Sequence, residues 1–191
     1  MSLDSTLKNP VTQGPRTEIY NQRWKGYDFL LALVVFLLDQ ITKYFVASRV
    51  ALNTGWIDVI PNFFAITHVQ NRGAAFSLFS DGTSSWKLGM LICFSVVAMI
   101  GISWYLWKGR HAYFTTGIAL ALILGGAVGN LWDRLLHGRV TDFLHVYLGE
   151  YSWPDFNVAD SAIVIGAFLL IAEVIFTKPP TPTQADPDET H

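Results

Sequence analysis

The chain has 191 residues, of which 51% are hydrophobic and 15% are charged, and its formal net charge is −2. This length suits one domain, and the mean hydropathy of +0.34 is high for a soluble globule but ordinary for a membrane protein. The charge gives no indication of a nucleic-acid partner, and a single cysteine excludes an internal disulfide and a cysteine-based metal cluster. Because Cys93 lies within an apolar run, we predict that it is a buried structural thiol.

Both ends of the chain are polar. Residues 1–26 contain Pro10, Gly14 and Pro15, and 178–191 are rich in proline, threonine and acidic residues, so we predict two disordered tails. The first apolar run starts too late and is too long for a secretory signal peptide, and no small-residue cleavage pattern follows it.

Between these ends, four apolar stretches have the length of a membrane-spanning helix, about 20 residues. They lie at 27–46, 88–107, 113–132 and 161–177. Residues 49–85 differ, because glycine and proline interrupt them and because 63–69 combine aromatic and β-branched residues, as a strand does. We therefore predict an all-α membrane protein of four transmembrane helices at 27–177, with a small β platform at about 49–85 on its outer face.

The flanking charges predict how these helices cross the membrane. Four spans put both termini on one side, and Arg16, Arg23 and Lys25 precede the first span. Positive charge next to a first span favours the cytoplasmic side, so we expect both tails and the basic turn at 108–111 in the cytoplasm. The β platform and the polar residues 133–160 then share the outer face.

Two polar groups precede the second span. Asp39 and Lys43 are four residues apart in the first span, so they share one helical face and can form an ion pair. The alternative for Lys43 is that its side chain reaches out to interfacial water. Asn71 and Gly73 form an Asn-x-Gly turn signal, in which the glycine lets a backbone come close to a ligand, although a plain turn is the simpler interpretation.

The most polar part of the membrane domain is 125–160, which opens with small residues at 125–129. Its conspicuous polar members are Asn130, Asp133, Arg134, Asp142, Asn157 and Asp160. Carboxylates at the edge of lipid are costly and usually serve a function. The alternative is that the glycines allow close helix packing and that Asp and Asn cap helix ends. Convergence of several segments at one membrane depth favours a site, because a cap needs only its own helix.

Paired aspartates can catalyse hydrolysis, because two nearby carboxylates share one proton. One can then act as a base on water while the other acts as an acid on a carbonyl. Asp142 and Asp160 suit this role, since each is flanked by apolar residues and each comes from a different segment. Asp133 suits it less, because the adjacent Arg134 would favour its ionised form, and these two residues fit better as holders of the site or of the substrate.

Other chemistries find little support in the sequence. There is no G-x-S-x-G elbow, no H-E-x-x-H motif, no P-loop and no dinucleotide fingerprint. His68, His137 and His145 are too dispersed to indicate a metal site, and we expect each to be an interfacial or loop histidine. We predict neither a metal nor a cofactor.

Five motifs give the chain a family resemblance. In order they are Asp-Gln-x-x-Lys at 39–43, Asn-x-Gly-Ala-Ala-Phe at 71–76, Gly-Gly-Ala-x-Gly-Asn-x-x-Asp-Arg at 125–134, Val-x-Asp-Phe at 140–143 and Phe-Asn-x-Ala-Asp at 156–160. Any one of them is a weak signal, but all five at these spacings are specific. With them, the chain resembles the bacterial lipoprotein signal peptidases, the type II signal peptidases, over nearly its whole length apart from the two tails.

The resemblance implies an aspartic endopeptidase of the bacterial inner membrane, without a cofactor. Such an enzyme cuts the signal peptide from a prolipoprotein just before the cysteine that carries a diacylglyceryl group, so its partners are the prolipoprotein and membrane lipid. The catalytic pair that the resemblance implies is Asp142 and Asp160. Residues implied to line the substrate cleft, where the antibiotic globomycin binds in this family, are Asn71, Gly73, Asn130, Arg134 and Asn157. Those implied to support it are Asp39, Lys43 and Asp133.

Two other functions compete with this one. Membrane carboxylates also serve as proton relays in carriers, although four short spans without internal repeats count against a transporter. A non-catalytic assembly protein could use the glycines for helix packing alone. Cleavage of a lipidated precursor by the purified protein distinguishes all three.

Overall fold

The computed structural model describes residues 15–73, 85–108 and 114–176. Its helices are α1 (Pro15–Arg49), α2 (Ser85–Lys108), α3 (Phe114–His137) and α4 (Val158–Phe176). Within these described residues, four helices are long and apolar enough to cross a membrane. The predicted architecture, a four-helix membrane protein with a small sheet, is confirmed.

The strands are β1 (Trp56–Ile60), β2 (Phe64–Asn71), β3 (Val140–Leu148) and β4 (Tyr151–Ser152). They form one antiparallel sheet in the order β1-β2-β3-β4, so the strand predicted at 63–69 corresponds to β2. The platform predicted at about 49–85 contains β1 and β2, and the sheet extends beyond this range, because β3 and β4 lie between α3 and α4. The buried residues of β3 include Asp142 and His145, which interrupt the apolar alternation by which a strand is recognised.

Helix α1 begins earlier than the sequence pattern indicates. It starts at Pro15, so the prediction of a disordered tail is wrong for residues 15–26, although the stretch able to span the membrane does begin at Gly26. Proline is favoured in the first turn of a helix, where its missing N–H has no partner to lose, and good helix formers follow it. The rest of the predicted tails, 1–14 and 178–191, lies outside the described residues, as do residues 109–111 of the basic turn.

Helix α3 is the centre of the bundle, since it packs against α1, α2 and α4. Glycine allows the close approach: a Cβ atom at Gly125 would lie 2.5 Å from the Ala32 carbonyl oxygen of α1. One at Gly166 of α4 would lie 2.5 Å from the Ala119 carbonyl oxygen of α3. Helix packing is therefore one role of the small residues.

Helix α2 lies at the edge of the bundle, and among its residues 86–108 only Leu106 is buried inside the protein. Cys93 is exposed on this helix, so the prediction of a buried thiol is wrong. An apolar run does not indicate burial within the protein when the surrounding solvent is itself apolar. The Cys93 side chain therefore faces the membrane and not the core.

The sheet is fixed to the end of the bundle where α1 and α3 finish and α4 starts. Phe143 of β3 is buried against Val46 and Val50 at the end of α1, and Ile66 of β2 and Val158 of α4 pack on this cluster. This apolar contact places the first turn of α4, which contains Asp160, directly beneath β3.

Candidate active site

Asp142 and Asp160 meet at one cavity. Asp142 lies in β3 and Asp160 lies in the first turn of α4, and both line a cavity of about 390 Å³. Asn71 and Arg134 also line it, while Val140, Phe156, Ile163 and Val164 supply an apolar wall. The cavity is thus polar where the carboxylates lie and apolar along α4.

Three asparagines fix the orientation of both carboxylates. Asn71 Nδ2 donates to Asp142 Oδ2 at 3.0 Å, and Asn157 Nδ2 donates to Asp142 Oδ1 at 2.7 Å. Asn130 Nδ2 donates to Asp160 Oδ1 at 2.7 Å, and the Asn157 backbone N–H donates to Asp160 Oδ2 at 3.2 Å. Each of the four carboxylate oxygens therefore has a donor, and Asn157 contacts both aspartates.

Asn157 and Asp160 also cap α4. The Asp160 backbone N–H donates to Asn157 Oδ1 at 2.9 Å, which together with the reciprocal bond to Asp160 Oδ2 makes a capping box. The capping interpretation of these two residues is correct, yet the same Asp160 carboxylate lines the cavity. Helix capping and a place in the site are therefore compatible.

The environment of Asp142 favours its protonated form. Burial raises the pKa of the Asp142 carboxyl to about 7, and the negative charge of Asp160 acts in the same direction. The hydrogen bonds from Asn71 and Asn157 favour the ionised form and oppose this shift. The Asp142 carboxyl can therefore exchange a proton near neutral pH, as an acid–base catalyst must.

Behind the cavity lies a buried ammonium between two carboxylates. Lys43 Nζ is 2.7 Å from Asp39 Oδ2 and 2.9 Å from Asp133 Oδ2, and it donates to Asn130 Oδ1 at 3.2 Å. The predicted ion pair between Asp39 and Lys43 is therefore confirmed. Lys43 is only 5% exposed, so the alternative in which its side chain reaches interfacial water is wrong.

Asp39 joins three helices. Its Oδ1 accepts the Ala159 backbone N–H at 2.9 Å, which ties α1 to the first turn of α4. A Cβ atom at Gly129 of α3 would lie 2.5 Å from Asp39 Oδ2, so only glycine leaves room for this carboxylate. Asp39 is fully buried and does not line the cavity, which gives it a structural position behind the paired aspartates.

Asp133 and Arg134 contact different partners. Asp133 forms its ion pair with Lys43, and its negative charge also interacts with the adjacent Arg134, as predicted. Successive residues of a helix point in directions about 100° apart, so neighbours in sequence need not share partners. Arg134 instead lines the cavity, where its Nη2 donates to the Gly73 carbonyl at 3.1 Å.

Asn71 makes both the turn and a contact to the aspartate pair. Its Oδ1 accepts the Gly73 backbone N–H at 2.8 Å, as in a turn, while its Nδ2 binds Asp142. The plain-turn interpretation is therefore correct and incomplete. The remainder of this motif, residues 74–76, lies outside the described residues.

A second polar cluster surrounds His145, which was predicted to be an interfacial or loop histidine but lies in β3. His145 is buried in β3, and its ring contacts Asp155 and Ser152. In the sequence, Gly149 is the residue that could have indicated this cluster, because glycine favours the tight turn of a hairpin. In the structure Gly149 has a φ of +68° and lies between β3 and β4, whose pairing brings residues 145 and 152 together.

Comparison with known proteins identifies the family. The family model described as signal peptidase (SPase) II matches residues 31–176. The chain belongs to the signal peptidase II family. It is therefore a peptidase and, with its four apolar helices, a multi-pass membrane protein.

Curated relatives named as lipoprotein signal peptidases match the chain over most of their length. A lipoprotein signal peptidase of Solibacter usitatus is 43% identical over 156 residues, which cover 82% of this chain and 93% of that protein. One of Pseudoalteromonas atlantica is 41% identical and covers 82% of this chain and 94% of that protein. A bacterial membrane enzyme solved by the in meso method at 1.9 Å resolution is 30% identical, with a TM-score of 0.69, over 80% of this chain and 95% of that one.

We predict that Lys43→Met will destabilise the fold by about 3–5 kcal/mol, because two carboxylates then lose their buried cation. Arg49→Met is the matched control: Arg49 lies at the exposed end of α1 over the Phe45 ring, a contact of about 0.5–1 kcal/mol. The measurement is thermal unfolding of both variants in the same detergent. Equal melting temperatures for the two variants would contradict the structural role of Lys43.

Proposed function

We propose that the chain is an intramembrane aspartic endopeptidase with Asp142 and Asp160 as its catalytic pair. It removes the signal peptide from prolipoproteins and cuts before the cysteine that carries the diacylglyceryl group. The observation that carries the proposal is the pairing itself: two carboxylates from different elements line one cavity, and asparagines hold every one of their oxygens.

The pair can perform hydrolysis with one shared proton. The ionised carboxylate accepts a proton from water as the water oxygen attacks the scissile carbonyl, and the protonated partner donates to the developing oxyanion. When the tetrahedral intermediate collapses, the carbon–nitrogen bond breaks and the leaving amine takes a proton from the pair. Because the two groups titrate as a unit, we assign the shared proton to the pair and not to one member.

The cavity suits a lipid-modified peptide. Arg134 and Asn71 offer N–H donors at its polar end, where a bound peptide needs partners for its carbonyl groups. The apolar wall formed by Val140, Ile163 and Val164 suits an apolar signal peptide or the acyl chains of the modified cysteine. In this proposal Asn130, Asn157 and Gly73 also belong to the substrate cleft, and a globomycin-type inhibitor would bind in the same place.

We place the cavity at the outer face of the bacterial inner membrane, with both termini in the cytoplasm. The cavity lies where α1 ends and α4 starts, which is the end of the bundle remote from the N-terminal flank. The basic residues Arg16, Arg23 and Lys25 of that flank favour the cytoplasmic side. Water then reaches the aspartates from outside, while the substrate arrives from the bilayer.

The catalytic assignment predicts the effect of isosteric substitution. Asp142→Asn or Asp160→Asn should each reduce cleavage by about 10²–10⁴-fold, the range expected when general acid–base catalysis is lost. The double variant should be scarcely slower than either single variant, because the pair acts as one unit. The measurement is turnover of a lipidated precursor by purified, folded protein.

Asp58→Asn is the control for that experiment. It removes an exposed carboxylate from β1 of the same sheet and should cleave at the wild-type rate. Substantial activity in Asp142→Asn or Asp160→Asn would exclude the assignment and make Asp133 the next candidate.

The raised pKa of Asp142 predicts a pH-dependent stability difference. Its pKa rises from 3.8 to about 7 on folding, so its contribution to stability is complete below pH 4 and is lost as the pH rises through 7. In the Asp142→Asn variant this side chain cannot ionise. The melting temperature of the variant relative to that of wild type should therefore increase as the pH rises from 4 to 8. Thermal unfolding at intervals across this range is the measurement, and a pH-independent difference would show that Asp142 ionises without cost.

The orientation predicts which positions react with a membrane-impermeant thiol reagent added from outside. On a Cys93→Ala background, cysteine at residue 58 in β1 or residue 150 after β3 should be labelled in intact cells. Cysteine at residue 110, between α2 and α3 in the sequence, should be labelled only after the membrane is opened. The reverse pattern would overturn the topology.

A further inference from the structure

Ser152, His145 and Asp155 form a hydrogen-bonded series outside the aspartate pair. His145 Nδ1 lies 3.0 Å from Asp155 Oδ1, and His145 Nε2 lies 2.8 Å from Ser152 Oγ. If Nδ1 carries the ring proton toward the carboxylate, Nε2 accepts the hydrogen bond of the serine hydroxyl. Nucleophile, base and orienting carboxylate are thus connected in the order that serine hydrolases use, which is defined by geometry and not by fold.

Neighbouring side chains restrict the position of the His145 imidazole, the proposed base. His145 is 8% exposed, and its ring lies beside those of Trp56 and Tyr147, with centroid distances of 5.0 and 4.7 Å. Asp155 is fixed in turn, because Thr67 Oγ1 donates to its Oδ1 at 2.6 Å. Since these partners come from β1, β2 and β3, the base and its carboxylate have few alternative positions.

The nucleophile, in contrast, is accessible. Ser152 is exposed in β4, a two-residue strand that pairs with the end of β3. An exposed hydroxyl with a buried, oriented imidazole beside it can reach a reagent from solvent without any movement of the base. A hydrogen bond made only for stability would not require the serine to lie at the surface.

The exposed surface around Ser152 is aromatic. Tyr151 and Trp153 flank it in sequence and are 56% and 37% exposed, and Trp56 on the other side of His145 is 45% exposed. In a membrane protein such side chains favour the interface, where acyl chains and polar groups meet. We propose that Ser152 is a nucleophile, separate from the aspartate pair, and that it takes the acyl group of a carboxylic ester with an apolar acyl chain. His145 activates it, and Asp155 orients His145.

The reaction balances without a further reagent. Ser152 Oγ attacks the ester carbonyl carbon as its proton passes to His145 Nε2, the ester C–O bond breaks, and the leaving alcohol receives that proton. Water then attacks the acyl-serine in the same way, releasing the carboxylic acid and restoring the serine. Asp155 holds the imidazole in the required tautomer and stabilises the imidazolium that forms.

Turnover should be slow. The Trp153 backbone N–H, which follows the nucleophile, already donates to the Val146 carbonyl at 2.9 Å and is not available for an oxyanion. Loss of one such donor costs a serine hydrolase about 10²–10³ in rate. A covalent adduct is therefore a better readout than turnover.

The experiment uses an alkyl fluorophosphonate on the full-length protein in detergent. Serine attack forms a P–O bond and releases fluoride, so the intact mass should rise by one adduct, and peptide mapping should place it at Ser152. Ser152→Ala should lose the adduct, and the control Ser48→Ala, which removes an exposed serine hydroxyl of α1, should retain it. His145→Gln should slow labelling by about 10²–10⁴-fold, the effect of losing a general base.

Several outcomes would overturn the proposal. These are no adduct, an adduct elsewhere, or equal labelling rates for wild type and a His145→Gln variant of wild-type melting temperature. If His145→Gln does not fold, Asp155→Asn replaces it and should also slow labelling. Asp142→Asn should be labelled at the wild-type rate, so the outcome is independent of the aspartate assignment.

The source of the ester is tested separately. p-Nitrophenyl octanoate, a small soluble ester, and a diacyl phospholipid in detergent micelles both present an apolar acyl chain on a carboxylic ester. An acyl adduct at Ser152 with the phospholipid would identify membrane lipid as the source, and one with the octanoate alone would identify a small ester. Failure of both esters to acylate Ser152 would overturn the proposed substrate class.

Discussion

A buried ammonium inside the helix bundle determines the geometry of the cavity. Lys43 of α1 pairs with Asp39 on its own helix and with Asp133 on α3, and it also donates to Asn130. A charge at this depth costs several kcal/mol when unpaired, so the rotation of α1 against α3 is strongly specified. Because Asn130 binds Asp160, this ion cluster positions a carboxylate that it does not touch.

Asn157 joins this cluster to the rest of the site. It is fully buried, and its side chain binds both Asp142 of β3 and Asn130 of α3 while it caps α4. The stability of the helix start and the geometry of the carboxylates therefore depend on the same hydrogen bonds. A replacement that still capped the helix, such as serine, would leave the donors to Asp142 and Asn130 unmade.

The sequence predicts local features better than long-range contacts. The four spans, β2 and the pairing of Asp39 with Lys43 follow from apolar length, β-branched content and i,i+4 spacing, all of which act within a few residues. In contrast, β3 could not be recognised, because Asp142 and His145 occupy buried positions where the pattern requires apolar residues. The choice of Lys43 as the partner of Asp133 was hidden for a similar reason: it depends on helix rotation, which tertiary packing decides.

Strand β3 contains one residue of each polar cluster, Asp142 of the aspartate pair and His145 of the serine–histidine–aspartate series. Strand alternation directs Asp142 and His145, three residues apart, to opposite faces. The backbone of Phe156 pairs with β3 between them, at Phe143 and Leu144, so the segment that follows β4 is held along the edge of β3. Asp155, in this segment, both lines the cavity and orients His145. The aspartate pair needs a buried, apolar setting that raises a carboxyl pKa, whereas a serine nucleophile needs an exposed hydroxyl beside a buried base. A single strand provides both environments, because Asp142 lines the cavity beside α4 while His145, nearer the end of β3, contacts the exposed Ser152 of β4.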